Sequence, residues 1–219
     1  MQSAIIFDLD ETLLDEKTYR IHLFQKLLKY TEYKNKNFNH RKIKNYFLIK
    51  KNIYKFKILN FFLNRSIKNE SFSNLRNIYY SSSYIPLIKN SLKILQKLKK
   101  KYLLCLITDG NELHQFNKIY FSGLLELIEP RNIIINSKKK FMKPSINSYQ
   151  NIILLNNLNP EKSFYVGDNP KKDFKGAKKV GLKTIRVIQG KNRKIKKNKY
   201  IDYEIKGLKN INTILKKIK

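Results

Sequence analysis

No proline stands before position 86 and no glycine before position 110. The two residues that most readily end a helix are therefore missing from the first 85 positions and scattered through the rest. In the first part, segments such as HLFQKLLKY, KNYFLIKKNIYKFKILNFFL and NLRNIYYSS repeat apolar residues at three and four positions. That spacing predicts a bundle of helices over 15–85, bounded by the polar DEKT at its start and the loop SSSYIP at its end. From Pro86 the pattern changes to alternating helix and strand. PLIKNSLKILQKLKKKY reads as an amphipathic helix starting at proline, LLCLIT as a buried strand, and NELHQFNKIYF as a helix ending near Gly123. RNIIINS is a strand, SINSYQNIILLNNL a helix behind Pro144, SFYVGD a strand, KKDFKGAKKV a helix stopped by Gly181, and KTIRVI a strand. The tail YIDYEIKGLKNINTILKKIK adds a short strand and a helix. Short apolar strands separated by helices imply right-handed crossovers and a parallel sheet covered on both faces. With the early strand AIIF included, the expected architecture is an α/β core of residues 1–14 and 86–219, split by a helical insertion at 15–85.

A chain of 219 residues that is 42% apolar can bury one core with a smaller insertion, so its high charge does not make it disordered. The formal charge of +31 invites a polyanion as partner. However, 40 of the 47 basic residues are Lys and only seven are Arg, and Ile, Asn, Tyr and Phe are also plentiful. All of these are encoded by AT-rich codons, and readers of bases or of bidentate phosphate are usually Arg. A composition bias thus accounts for the charge, and no specific nucleic-acid partner is expected. Cys105 is the sole cysteine and sits inside an apolar run, where it acts as a small hydrophobe. Together with the absence of a leader-like start and of any 18-residue apolar stretch, this points to the cytosol with no membrane partner.

Open parallel sheets build their sites beyond the carboxyl ends of the strands. AIIF ends in Asp8, and Asp10 follows two positions on, so an extended chain puts both carboxylates on one side. Two acids so placed repel unless a divalent cation neutralises them or one stays protonated, conditions that suit metal-assisted and acid/base chemistry. An isolated D-x-D is more often just a strand end turning polar. LLCLI ends in Thr108, after which Asp109, Gly110 and Asn111 open a helix, offering a hydroxyl and free backbone N–H groups to an anion. SFYV runs into GDNPKKD, which puts Asp168 at the strand end and Asp173 at a helix start, with Asn169 between them. Lys143 precedes Pro144 in FMKPS. The combination carries the weight: of seven aspartates, four (Asp8, Asp10, Asp168, Asp173) fall at or just beyond strand ends of one expected sheet.

FDLDETL, LITDG, KP and VGDNPKKD, in this order, resemble the four motifs of the haloacid dehalogenase (HAD) superfamily over residues 4–14 and 86–206. The resemblance implies a Rossmann-like parallel sheet, with the insertion at 15–85 as an α-helical cap domain. It implies that Asp8 is the nucleophile of a phosphoryl transfer and that Asp10 is the general acid and base. Mg²⁺ would be held by the Asp8 carboxylate, the Asp10 backbone carbonyl and Asp168. Thr108, Asp109 and Lys143 would form the phosphate-binding segment, with Gly110, Asn111, Asn169 and Asp173 supporting, Asp173 by orienting Lys143 or the metal shell. A halide-removing member would not need Asp10, so its presence favours phosphate esters. Many members carry Asn after the motif Thr. Asp109 stands there in this chain, and its carboxylate is expected to point away from phosphate or to meet a substrate hydroxyl or amine.

Between Lys17 and Ile85 there are sixteen Lys and Arg against Glu32 and Glu70, a lid suited to an anionic substrate, with Arg20 and His22 as candidate contacts. His22, His40 and His114 lack metal-ligand spacing and are expected at the surface or in packing. A helical lid suits a small phosphorylated metabolite, because closure excludes water. The expected activity is a Mg²⁺-dependent phosphatase, monomeric or homodimeric. A sugar phosphomutase, and a nucleic-acid-binding protein on the same scaffold, are the alternatives.

Overall fold

The computed structural model describes residues 1–34 and 83–218. The chain divides into two compact units, Met1–Asp15 with Pro86–Lys219, and Glu16–Ile85. Of the second, the description covers helix α1 (Glu16–Lys34) and residues 83–85; the expected helical segments beyond α1, with His40, lie outside the described residues. Within α1, Arg20 clasps Glu16 one turn back through two N–H···O contacts of 2.9 and 2.7 Å, and the His22 ring lies 4.7 Å from that of Tyr84.

The first unit is built on six parallel strands in the order β3-β2-β1-β4-β5-β6. They are β1 (Ala4–Phe7), β2 (Leu103–Asp109), β3 (Ile133–Asn136), β4 (Phe164–Gly167), β5 (Lys183–Val187) and β6 (Tyr203–Ile205). The helices are α2 (Ser91–Lys99), α3 (Glu112–Phe121), α4 (Asn147–Leu155), α5 (Asp173–Lys179) and α6 (Ile211–Lys217), numbered among the described elements. The order of elements is the α/β, Rossmann-like one expected. β1 lies at the centre, with Ile5 opposite Leu104 on one side and Phe164 on the other, and all four of its residues are fully buried. A strand flanked on both sides and covered on both faces must be apolar at every position, and AIIF is. On one face Ala4, Ile6, Cys105, Ile107 and Tyr165 join Ile152 and Phe174 in a single core, each large side chain contributing roughly 1.5–3 kcal/mol.

The helix after Pro86 starts five residues later than its sequence suggests. Residues 86–88 run back along the first segment instead: Pro86 O accepts from Asp15 N–H, and Ile88 N–H donates to Leu13 O, at 2.8 and 2.9 Å. Asn90 then takes a left-handed turn (φ 67°), and the Ser91 hydroxyl donates to Ile88 O before α2 begins. Local backbone pairing thereby overrides the preference of proline for a helix start.

Candidate active site

Asp8 is placed by the sheet. Its N–H donates to Val166 O at 2.9 Å, which extends the β1–β4 pairing by one residue and fixes the carboxylate at the strand end. The chain then curls so that Leu13 N–H and Leu14 N–H both donate to Leu9 O, with Glu11 held at φ 61°. Gln189 clamps this curl from the loop after β5, donating from Nε2 to Glu11 O at 2.7 Å and to Thr12 O at 3.1 Å.

Asp8, Asp168 and Asp173 each offer a carboxylate oxygen, and these atoms lie within 4.8 Å of one another, all three residues being buried. Lys143 reaches into the same space. Its Nζ is 2.5 Å from Asp8 Oδ1, 2.9 Å from Asp173 Oδ1 and 3.1 Å from the Tyr165 hydroxyl. Asp173 is held in turn by Asn169 N–H at 2.8 Å, and its main-chain oxygen accepts from the Tyr149 hydroxyl at 2.7 Å. Asp168 accepts from Asn192 Nδ2 at 2.7 Å. Thr108 is buried at the end of β2, in register with Ile135.

Among the described residues one ammonium, paired with Asp8 and Asp173, stands against three clustered buried carboxylates, so the site is short of positive charge. Burial raises Asp168 to about 7, with Asp173 adding repulsion and Asn192 working against both. Burial also raises Asp8 well above the usual carboxylate range, and the opposing pull of Lys143 does not cancel it. Burial alone would lower Lys143, yet Asp173 and Asp8 outweigh it and raise it well above normal, so the ammonium stays charged. Hard oxygen donors left under-compensated in this way match what a small divalent cation requires. The residues present therefore fit Mg²⁺.

The Asp109 carboxylate accepts from Asn136 Nδ2 at 2.9 Å and from Lys143 N–H at 3.2 Å. Asn136 is itself tied to Ser148, whose hydroxyl donates to Asn136 Oδ1 at 2.7 Å. A carboxylate can accept several N–H bonds at once where the neutral side chain of Asn accepts fewer, so Asp109 serves as a brace for the segment that delivers Lys143. His114, expected at the surface or in packing, is buried.

Asp10 stands apart from the three clustered acids. Lys118 Nζ lies 2.7 Å from its Oδ1, and Gln115 Nε2 lies 3.2 Å from its Oδ2. Asn111 caps α3 by accepting from His114 N–H at 3.1 Å, which holds the helix that carries both donors. Tyr165, Asn192, Gln189, Gln115 and Lys118 were not anticipated. Only the last two had a readable signal: polar side chains at 115 and 118 share the buried face of α3 with Ile119, at spacing where apolar residues are the rule.

The model of the haloacid dehalogenase-like hydrolases matches residues 5–187. The chain belongs to this family. This HAD-like hydrolase is 30% identical over 131 residues to the glyceraldehyde 3-phosphate phosphatase of Methanocaldococcus jannaschii, a match covering 59% of this chain and 57% of that protein. The chain thus matches less than three fifths of the length of that relative. YfnB of Bacillus subtilis, solved bound to magnesium, superposes with a TM-score of 0.68 at 19% identity, covering 98% of each chain. A 2-haloacid dehalogenase from Pseudomonas syringae pv. Tomato gives 0.68 at 18% identity, covering 99% of each. The HAD-like fold is common to these proteins, and the site must decide the chemistry. No described helix of this HAD-like hydrolase is long and apolar enough to cross a membrane.

Proposed function

We propose that the chain is a Mg²⁺-dependent phosphatase of a small phosphorylated metabolite, working through an aspartyl-phosphate on Asp8. The observation that carries this reading is the meeting of Asp8, Lys143, Asp168 and Asp173 at one rim of the sheet, with the Asp10 carboxylate separately held beside them. Phosphoryl transfer asks mainly for in-line positioning and compensation of negative charge, and this arrangement suits both. Glyceraldehyde 3-phosphate phosphatases among the relatives make a three-carbon phosphate ester the first substrate to try.

In the first step an Asp8 oxygen attacks phosphorus, the bond from phosphorus to the ester oxygen breaks, and Asp10 gives its proton to the departing oxygen. In the second a water oxygen attacks the same phosphorus and yields its proton to Asp10, and the acyl-phosphate bond breaks to release inorganic phosphate and free Asp8. Lys143 neutralises charge beside Asp8, Thr108 offers a hydroxyl to a phosphoryl oxygen, and Tyr165 steadies the Lys143 ammonium. Asp8, Asp168 and the Asp10 backbone carbonyl would hold Mg²⁺, which supplies Lewis-acid stabilisation of the phosphoryl oxygens. Asp173 serves as counter-ion to Lys143. Residues 15–85 would be the cap domain.

The purified chain should release phosphate from phosphomonoesters with Mg²⁺, and Asp8→Asn should abolish turnover. Undiminished turnover in that variant rejects the mechanism. Isomerisation of a sugar phosphate without phosphate release reassigns the chain to a phosphomutase.

A further inference from the structure

We infer that Gln115 and Lys118 are positioning residues for the Asp10 carboxylate, a pair outside the four sequence motifs. The inference rests on the phosphatase reading above, in which Asp10 moves the proton in both steps. Three observations support it. The two side chains stand at i and i+3 on α3, hence on one face, and each takes a different carboxylate oxygen: Lys118 binds Oδ1 at 2.7 Å and Gln115 binds Oδ2 at 3.2 Å. Two donors on two oxygens define the plane of the carboxylate as well as its distance. Asp10 keeps 21% of its side-chain surface accessible, so it is oriented without being enclosed.

The second observation is burial. Lys118 is 1% exposed, and among the described residues the one other buried lysine is Lys143. An ammonium withdrawn from water is unfavourable unless it is matched, so its place opposite Asp10 is not the incidental position of one more surface lysine. The third is the seat made for Gln115. Its Nε2 also donates to Asp109 O at 3.0 Å, and a Cβ on Gly110 would lie 2.7 Å from that nitrogen, so the glycine of LITDG leaves the space the glutamine occupies. The end of β2, which carries Thr108, and the helix that follows it are thereby joined to the proton-handling group beyond the end of the neighbouring β1.

Positioning of this kind predicts a dependence on leaving group that a purely structural role does not. Departure of p-nitrophenolate needs little protonation, whereas departure of an alkoxide needs a proton delivered in place. Lys118→Met, assayed as the full chain with Mg²⁺, should form the phosphoenzyme from p-nitrophenyl phosphate readily but hydrolyse it slowly. The result is a burst of about one p-nitrophenol per enzyme and a steady rate reduced roughly 10- to 100-fold. With glycerol phosphate the same variant should show no burst and a fall in kcat/KM at least tenfold greater than for the aryl ester, while Lys118→Arg should recover most of both rates. Equal losses on the two substrates without a burst, or no loss at all, overturn the inference. If Lys118→Met does not fold by its thermal transition, Gln115→Leu is read by the same burst and the same ratio, and either supports or overturns the assignment. Asp8→Asn separates the layers: if it retains turnover the phosphatase reading fails, whereas an inactive Asp8→Asn beside a fully active Lys118→Met removes only the role given to α3.

Discussion

Replacing Asp168 with Asn should stabilise the protein in the absence of metal while removing its response to Mg²⁺. Burial and the neighbouring Asp173 raise Asp168 from 3.8 to about 7. The folded state therefore holds a proton that the unfolded chain has already released at intermediate pH. Stability from this group is intact below about pH 4, declines as pH rises from about 4 to about 7, and stays low above that. Relative to a neutral side chain of the same shape, Asp168 costs about 1.5 kcal/mol at pH 5, where folding must take up a proton the unfolded chain has released, and about 4 kcal/mol at pH 8, where it is ionised in both states. Asn keeps an oxygen for the Asn192 amide, which donates to Asp168 at 2.7 Å, so the substitution removes charge without orphaning its partner.

Urea unfolding in chelator at pH 5 and pH 8 checks this directly. The variant should be the more stable protein at both, with the gap widening at pH 8, and thermal melting should rise on the order of 10 °C there. Adding Mg²⁺ at about a hundred times its dissociation constant should stabilise the wild type by about 2.7 kcal/mol and leave the variant unmoved. A variant no more stable than wild type at pH 8, or a gap that does not widen between the two pH values, refutes the claim that this carboxylate is held ready for a cation.

Lys143→Met leaves Asp8 and Asp173 without the ammonium they share at 2.5 and 2.9 Å, and should cost about 3–5 kcal/mol in urea unfolding along with essentially all turnover. Tyr165→Phe removes the hydroxyl 3.1 Å from Lys143 Nζ and should lower kcat roughly tenfold with a stability loss of about 1–3 kcal/mol, read by steady-state kinetics and melting. Gly176→Ala sets a Cβ 2.7 Å from Pro144 O and 2.9 Å from Ser145 O. Because backbone must yield, we expect about 1–3 kcal/mol of destabilisation and a lower kcat as the Lys143 segment shifts. Gly167→Ala meets Asp173 Oδ2 at 2.6 Å and should weaken turnover more than stability, by displacing the partner of Lys143.

The sheet was readable because its signals are local. AIIF must be apolar at every position to lie between two strands, and β1 spans those four residues. The late start of α2 was not readable, since it depends on Leu13 and Asp15, more than seventy residues away, offering backbone partners to residues 86–88. The same contrast runs through the site. Asp8, Asp168 and Asp173 stood out because acids are scarce in this chain, and Lys143 because proline and motif order marked it. Lys118 is chemically identical to 39 other lysines and is distinguished only by the helix face it shares with Ile119.

Scarcity of acid is also what makes the excess of lysine informative about the site. A chain of charge +31 could have neutralised three clustered carboxylates with several ammonium groups at little cost in composition. Among the described ion pairs, Lys143 alone bridges any of them, and Asp168 is met instead by an amide, from Asn192. The loop after β5 that brings this amide carries Lys191, Arg193 and Lys194 around Asn192, so neutral chemistry faces Asp168 in the midst of basic residues. A second lysine there would satisfy Asp168 permanently and compete with any divalent ion for the same oxygens. Without it the three carboxylates stay close together with one ammonium pairing two of them, and the six-stranded sheet and the Asn192 hydrogen bond hold the strand ends in place.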